Sequence, residues 1–221
     1  MKLLLTSAGI SNPSIAKALI DLVGKRPEET TIAFVPTAAN VEMGDKGWFI
    51  SDLARLKDQG FKSIDIADIS ALEPNVWKQK FEAADVLFFE GGNTYHLMHW
   101  MNQSGLTPLL REYLQTKVYV GVSAGSMVVA PDLILKISQI VYGEDLDQTE
   151  EMAALGLVDF YVLPHLGSQD FENVTEPIVR KAAANIGRKT YVLDDQSAIK
   201  VIDGVAEVVS EGKWFEINET I

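Results

Sequence analysis

The stretch Val118-Tyr119-Val120-Gly121-Val122-Ser123-Ala124-Gly125-Ser126 decides the reading of this chain. The apolar run at Lys117–Val120 has no polar alternation, as expected of a strand buried on both faces of a parallel sheet. Gly-x-Ser-x-Gly follows at once, and glycines two residues either side of the serine allow a strand to bend sharply into a helix. Ser126–Ala130, closed by Pro131, supplies the short helical stretch that such a bend requires. The serine hydroxyl is then presented at the end of a strand, where a histidine can reach it. The turn also aims the backbone N–H of Ala124 at the place where negative charge develops on an attacked carbonyl oxygen. Ser123 reads as a nucleophile and Ala124 as half of an oxyanion hole; the alternative is a structural turn.

Outward from this point, short apolar runs alternate with longer amphipathic ones, the rhythm of a parallel α/β sheet. Strands are expected at Lys2–Leu5, Thr31–Val35, Ser63–Ile66, Val86–Phe89, Lys117–Val120, Phe160–Leu163 and Thr190–Leu193. Apolar spacing of three to four residues predicts helices at Pro13–Val23, Lys46–Gln59, Val76–Ala83, Thr94–Met101 and Thr107–Gln115. From Ser197 onward the character changes to short strands joined by glycine turns: Ala198–Val205, Ala206–Val209 and Lys213–Ile217. Asp203-Gly204 is a hairpin signal. The expected architecture is a single α/β domain over 1–221, three-layer αβα, with a mostly parallel central sheet and a C-terminal antiparallel extension.

Composition narrows the function. Acidic residues outnumber basic ones, 31 to 19, for a formal net charge of −12, so nucleic acid and anionic membrane are poor partners. There is no cysteine, which excludes disulfides, thiolate metal sites and a cysteine nucleophile together. The apolar start at Leu3-Leu4-Leu5 is too short for a signal-peptide core and fits a first buried strand, so a cytoplasmic protein is expected.

In open α/β sheets function gathers at the loops leaving the carboxyl ends of strands, and two more such loops are informative. Glu90-Gly91-Gly92-Asn93-Thr94 brings backbone close to a ligand with free N–H groups, so this loop suits an oxyanion or a carboxylate and is the expected second oxyanion donor, a plain glycine-rich turn being the alternative, with Asn93 or Thr94 the cap of the next helix. Pro164-His165 follows another strand, and a neutral imidazole there can take the serine proton and later return it to a leaving amine. His96 and His99, three apart on a helix, have no accompanying ligand cluster and read as packing or surface residues, so no metal or cofactor is expected.

Together, Gly121-Val122-Ser123-Ala124-Gly125-Ser126, Gly91-Gly92-Asn93-Thr94, Pro164-His165 and Phe34-Val35-Pro36-Thr37-Ala38 resemble the peptidase E family of serine peptidases, family S51, over nearly the whole chain. The resemblance implies a class I glutamine amidotransferase-like fold in which serine occupies the elbow that elsewhere carries cysteine. It implies a small cytoplasmic dipeptidase acting on small peptide substrates, typified by enzymes that release N-terminal aspartate. In that scheme Ser123 is the nucleophile, His165 its base, Gly92 and Ala124 the oxyanion donors and Asn93 a substrate neighbour; a homodimer is also implied.

Two positions depart from the family pattern. Its relatives carry the third catalytic acid about fifteen residues after the serine, where this chain has Ser138, and Gly167 removes the His-x-Glu arrangement of the amidotransferases. The group that orients His165 is therefore expected to be a hydroxyl, a backbone carbonyl or an acid from elsewhere. The segment after His165, Ser168-Gln169-Asp170-Phe171-Glu172, is acidic where an aspartate substrate needs cations. Besides a peptidase, the sequence leaves open a catalytically silent binding protein on the same scaffold and a non-peptidase serine hydrolase such as an esterase or amidase.

Overall fold

Strands β1 (Lys2–Thr6), β2 (Thr31–Val35), β3 (Ser63–Ile66), β4 (Val86–Phe89) and β5 (Val118–Val122) form the parallel centre of the molecule, in a computed structural model that describes residues 1–184 and 186–217. Later in the chain come β6 (Asp132–Leu133), β7 (Met152–Ala153), β8 (Tyr161–Leu163), β9 (Thr190–Leu193), β10 (Ser197–Ile202), β11 (Val205–Ser210) and β12 (Trp214–Ile217). The main sheet has seven strands in the order β11-β10-β1-β5-β4-β2-β3. Its five central and distal strands run parallel, and β10 and β11 continue it antiparallel beyond β1. The β10–β11 connection is the two-residue turn Asp203-Gly204, both residues at positive φ (48° and 86°), as a type I′ hairpin requires.

Alternate residues of each strand feed opposite faces of the sheet. Leu4, Phe34, Phe88 and Val120 pack against helices α1 (Pro13–Val23) and, after the single turn α2 (Thr37–Asn40), α3 (Gly47–Asp58). Leu3, Leu5, Val35, Phe89 and Tyr119 face α4 (Pro74–Ala83), α5 (Thr94–Gln103) and α6 (Thr107–Tyr113). Aromatic stacks tie neighbouring strands on each face: Phe34 on Phe88 at 5.4 Å and Phe89 on Tyr119 at 4.8 Å between ring centroids. Each such buried ring contributes about 2–3 kcal/mol of apolar transfer. Helix α1 starts where Asn12 accepts from the Ile15 N–H and Pro13 takes the first helical position, and it stops at Gly24 in the left-handed conformation.

Two expectations are corrected. Phe160–Leu163 and Thr190–Leu193 are strands, but they do not join the main parallel sheet. They form a separate three-stranded sheet, β12-β9-β8, with β8 parallel to β9 and β12 antiparallel to it. Lys213–Ile217 likewise extends this small sheet and not the large one. Local composition sets strand character, whereas the partner is set by which edge is free, and the open edge of β1 is already taken by β10. The small sheet has its own apolar cluster, in which Leu163 and Val192 meet Val179 and Ala183 of a further helix, Glu176–Ala183, together with Ile137 and Val141. That helix escaped the sequence reading because its apolar face is only Val179, Ala182 and Ala183. Among the described residues no helix is long and apolar enough to cross a membrane.

Candidate active site

Strand β5 ends at Val122, and Ser123 stands at the bend with φ 46° and ψ −107° before the four-residue helix Ala124–Met127. Positive φ is costly for a residue with a Cβ, and the surroundings hold it there. The Ser123 N–H donates to the Thr6 carbonyl at 3.1 Å, and the Tyr119 hydroxyl donates to the Gly125 carbonyl at 2.6 Å. Buried Ser126 places its hydroxyl within 2.8 Å of the Thr6 carbonyl and 2.9 Å of the Gly121 carbonyl. Both flanking glycines are required by space: a Cβ on Gly121 would lie 2.4 Å from the Gly125 carbonyl oxygen, and one on Gly125 would lie 2.2 Å from the Phe89 carbonyl oxygen.

The small sheet brings the partners. His165 follows β8 and Asp195 follows β9. His165 Nε2 is 2.9 Å from Ser123 Oγ, and Nδ1 is 2.7 Å from Asp195 Oδ1. The imidazole lies flat on Phe171, 4.4 Å between centroids with 12° between planes, and its backbone also has positive φ, 69°. Ser7, buried at the end of β1, clamps the assembly: it accepts from the His165 N–H at 2.8 Å and donates to Asp195 Oδ1 at 2.9 Å. Burial raises the Asp195 pKa, but the hydrogen bond and charge of His165, with further hydrogen bonds from Ser7 and Ser168, outweigh it and hold this carboxyl below the ordinary aspartate value. An ionised Asp195 fixes the proton on Nδ1 and leaves Nε2 free to accept from Ser123.

The N–H groups of Gly92 and Ala124 donate to no acceptor among the described residues. That of Gly91 is taken by Glu90 Oε1 at 2.9 Å. Gly92 has φ 126°, and a Cβ there would fall 2.3 Å from the Ala38 carbonyl oxygen, so only glycine brings this loop beside Ser123. Asn93 lies just outside the cavity. Its Oδ1 caps α5 by accepting from the His96 N–H at 2.7 Å, and its Nδ2 donates to Asp145 at 2.9 Å, so the side chain anticipated beside the substrate is occupied in holding the loop. Ser138 is turned to Asp145, to which it donates, and not to His165. His96 and His99 flank Trp100 edge to face.

A serine, a histidine and a carboxylate in hydrogen-bonded line can pass a proton from hydroxyl to imidazole and hold the resulting charge. Known proteins of similar sequence and fold are described as peptidases. The model described as peptidase family S51 matches residues 3–209. The chain belongs to peptidase family S51. An uncharacterized peptidase of Pasteurella multocida is 31% identical over 156 residues, covering 69% of this chain and 72% of its own. Peptidase E of the same organism is 27% identical over 211 residues, 90% of this chain and 81% of its own. The crystal structure of a peptidase E candidate from Listeria monocytogenes shares the fold, with a TM-score of 0.78 at 23% identity over 96% of this chain and 98% of that one. The fold is thus that of its S51 relatives, and the chain is a serine-family peptidase.

In this S51 peptidase Ser123 and His165 line a cavity of about 590 Å³ whose lining is strongly acidic. Arg55, the lysine or arginine in that lining, is engaged by Asp52. Glu90 is fully buried; burial first, and Asp52 next, push its carboxyl well above the ordinary glutamate range. Burial, then Glu42 and Asp145, raise Glu144 to about 8.

Sequence reasoning brought Ser123 and His165 together and missed Asp195 and Ser7. Both were signalled in the same way as the others: each is within two residues of a strand's carboxyl end, Asp195 after Leu193 and Ser7 after Thr6. The sequence left the orienting group open, as a hydroxyl, a backbone carbonyl or an acid from elsewhere, and singled out neither residue.

Proposed function

We propose that this S51 peptidase is a dipeptidase, releasing the N-terminal residue of small peptides through an acyl-enzyme on Ser123. The observation that carries the proposal is the line from Ser123 Oγ through His165 to Asp195, at the wall of a cavity sized for a few residues and not for a folded protein. His165 takes the Ser123 proton as Oγ attacks the peptide carbonyl. The N–H groups of Gly92 and Ala124 hold the oxyanion, and His165 returns the proton to the departing amine. Water, deprotonated by the same imidazole, then cleaves the ester, frees the N-terminal residue and restores Ser123. Asp195 orients His165 and stabilises the imidazolium, the role for which the family's usual position offers only Ser138.

The alternative of a silent binding protein drew on a missing third acid, and Asp195 at 2.7 Å from Nδ1 supplies one. Purified protein and Ser123→Ala, incubated with dipeptides of varied N-terminal residue and with simple esters, separate the readings by mass spectrometry of the products. Release of free N-terminal residues by the native protein alone, slowed by about 10⁴ or more in the variant, is the expected result. Peptide hydrolysis retained by Ser123→Ala overturns the assignment of the nucleophile, and cleavage of esters alone assigns an esterase.

A further inference from the structure

The cavity beside Ser123 is lined by carboxyl groups that do not all find partners among the described residues. Glu42 and Glu144 line it from two segments, the turn after α2 and the loop before Asp145, and neither carboxyl forms a hydrogen bond or ion pair among the described residues. Glu90, at the end of β4, lines the same cavity; no donor among the described residues reaches its fully buried Oε2. The counter-charge present, Arg55, is spent on Asp52. Lys46, a few residues after Glu42, donates to the carbonyls of Ala39 and Glu42 and leans on the Trp48 ring, outside the cavity lining. Trp48, Tyr142 and Phe171 add aromatic walls, which suit a cation as well as an alkyl chain.

A dipeptide distributes its charges unevenly. The residue that acylates Ser123 carries the α-ammonium group, and the residue that leaves carries the free carboxylate. An acidic cavity repels the second and attracts the first, so these acids belong to the side that receives the N-terminal residue. We propose that the cavity selects dipeptides with a basic N-terminal residue, lysine or arginine, and rejects N-terminal aspartate, with Glu144 and Glu42 as the carboxyls that meet the basic side chain. This rests on the peptidase reading for its orientation, though not for the preference itself. Glu144 holds its proton while no cation faces it and gives it up to solvent when a cationic side chain arrives beside it, whereas an aspartate side chain there would face Glu42 and a second carboxyl with no free cation among the described residues of the lining to receive it.

Binding to Ser123→Ala, which is expected not to turn substrate over, measures the preference independently of catalysis. Titration calorimetry with lysyl-leucine and aspartyl-leucine should give at least about tenfold tighter binding of the basic peptide, the equivalent of one partly screened charge pair. Glu144→Gln and Glu42→Gln, introduced singly into that background, should each reduce the ratio several-fold, while alanyl-leucine binding changes less. Raised salt should weaken lysyl-leucine more than alanyl-leucine. Equal or tighter binding of aspartyl-leucine, or a ratio unmoved by both glutamine variants, overturns the proposal. A basic preference in binding without hydrolysis of any dipeptide by the native protein leaves the preference standing and removes the peptidase reading instead.

Discussion

The two sheets of this molecule divide the candidate chemistry between them. The seven-stranded sheet supplies what must not move: Ser123 on a strained bend below which Tyr119, Thr6 and Ser126 are hydrogen-bonded, and the Gly92 turn pressed on Ala38. The three-stranded sheet supplies the base and the acid that orients it, His165 after β8 and Asp195 after β9. One side chain, Ser7, joins the two by bonding both His165 and Asp195 from the end of β1. Nucleophile geometry is therefore set by backbone packing, whereas the base and acid are set by side-chain hydrogen bonds across a junction between sheets. Changes to the backbone packing on the first side should appear as lost folding, whereas changes to the side chains on the second, like removal of the Ser123 hydroxyl itself, should appear as lost turnover in a protein that still folds.

The largest effect is expected on the small-sheet side. Asp195→Asn keeps the shape but lets Nδ1 accept and not donate, which leaves the proton on Nε2; kcat should fall by about 10³–10⁴ with the melting temperature little changed. His165→Ala should fall at least as far. On the large-sheet side, Gly125→Ala drives a Cβ toward the Phe89 carbonyl oxygen and should cost about 3 kcal/mol or more, a loss of roughly 6–12 °C in melting temperature for a chain of this size. If Gly125→Ala instead melts normally and is merely slow, the division between the two sides fails.

Ser7→Ala sharpens the junction. Loss of its two hydrogen bonds should lower kcat by about tenfold, with KM nearly constant, because the base loses its fixed orientation and the substrate loses no contact. The smallest effect concerns Glu144, faced by Glu42, Asp145 and Tyr142. Its pKa is raised by folding to about 8, so the folded state holds a proton that the unfolded chain gives up above the ordinary glutamate value. Stability from this group is full in acid and is lost as pH rises toward 8. Glu144→Gln should thus melt close to the native protein at pH 4 and about 3 °C or more above it at pH 9; equal melting at both pH values would show that Glu144 is not so shifted.

Much of the large sheet was legible in sequence because most of its strands are continuous apolar runs, as at Thr31–Val35 and Val86–Phe89, while the edge strand Ser63–Ile66 alternates Ile64 and Ile66 with polar residues. Thr31–Val35, Ser63–Ile66 and Val86–Phe89 are strands over those same residues. The elbow was legible because its constraint is steric and local, glycine on either side of Ser123. The small sheet was not legible as a sheet: Tyr161–Leu163 and Thr190–Leu193 look like any buried parallel strands, and nothing local says that β10 has already closed the edge beside β1. Asp195 was missed for the same reason. It lies 72 residues after Ser123, and only the pairing of β9 with β8 carries it to His165. A family expectation centred on Ser138 pointed to a residue that serves Asp145 instead.

The central claim is that Asp195 and His165, mounted on the small sheet, activate Ser123 on the large one. It is tested most directly by the rate at which a small fluorophosphonate labels Ser123, followed by intact-protein and peptide mass spectrometry in the native chain and in Asp195→Asn. One adduct per chain on Ser123, formed far more slowly in Asp195→Asn and absent in Ser123→Ala, is the predicted result. An unlabelled native Ser123, or equal labelling rates with and without the Asp195 carboxylate, would contradict it.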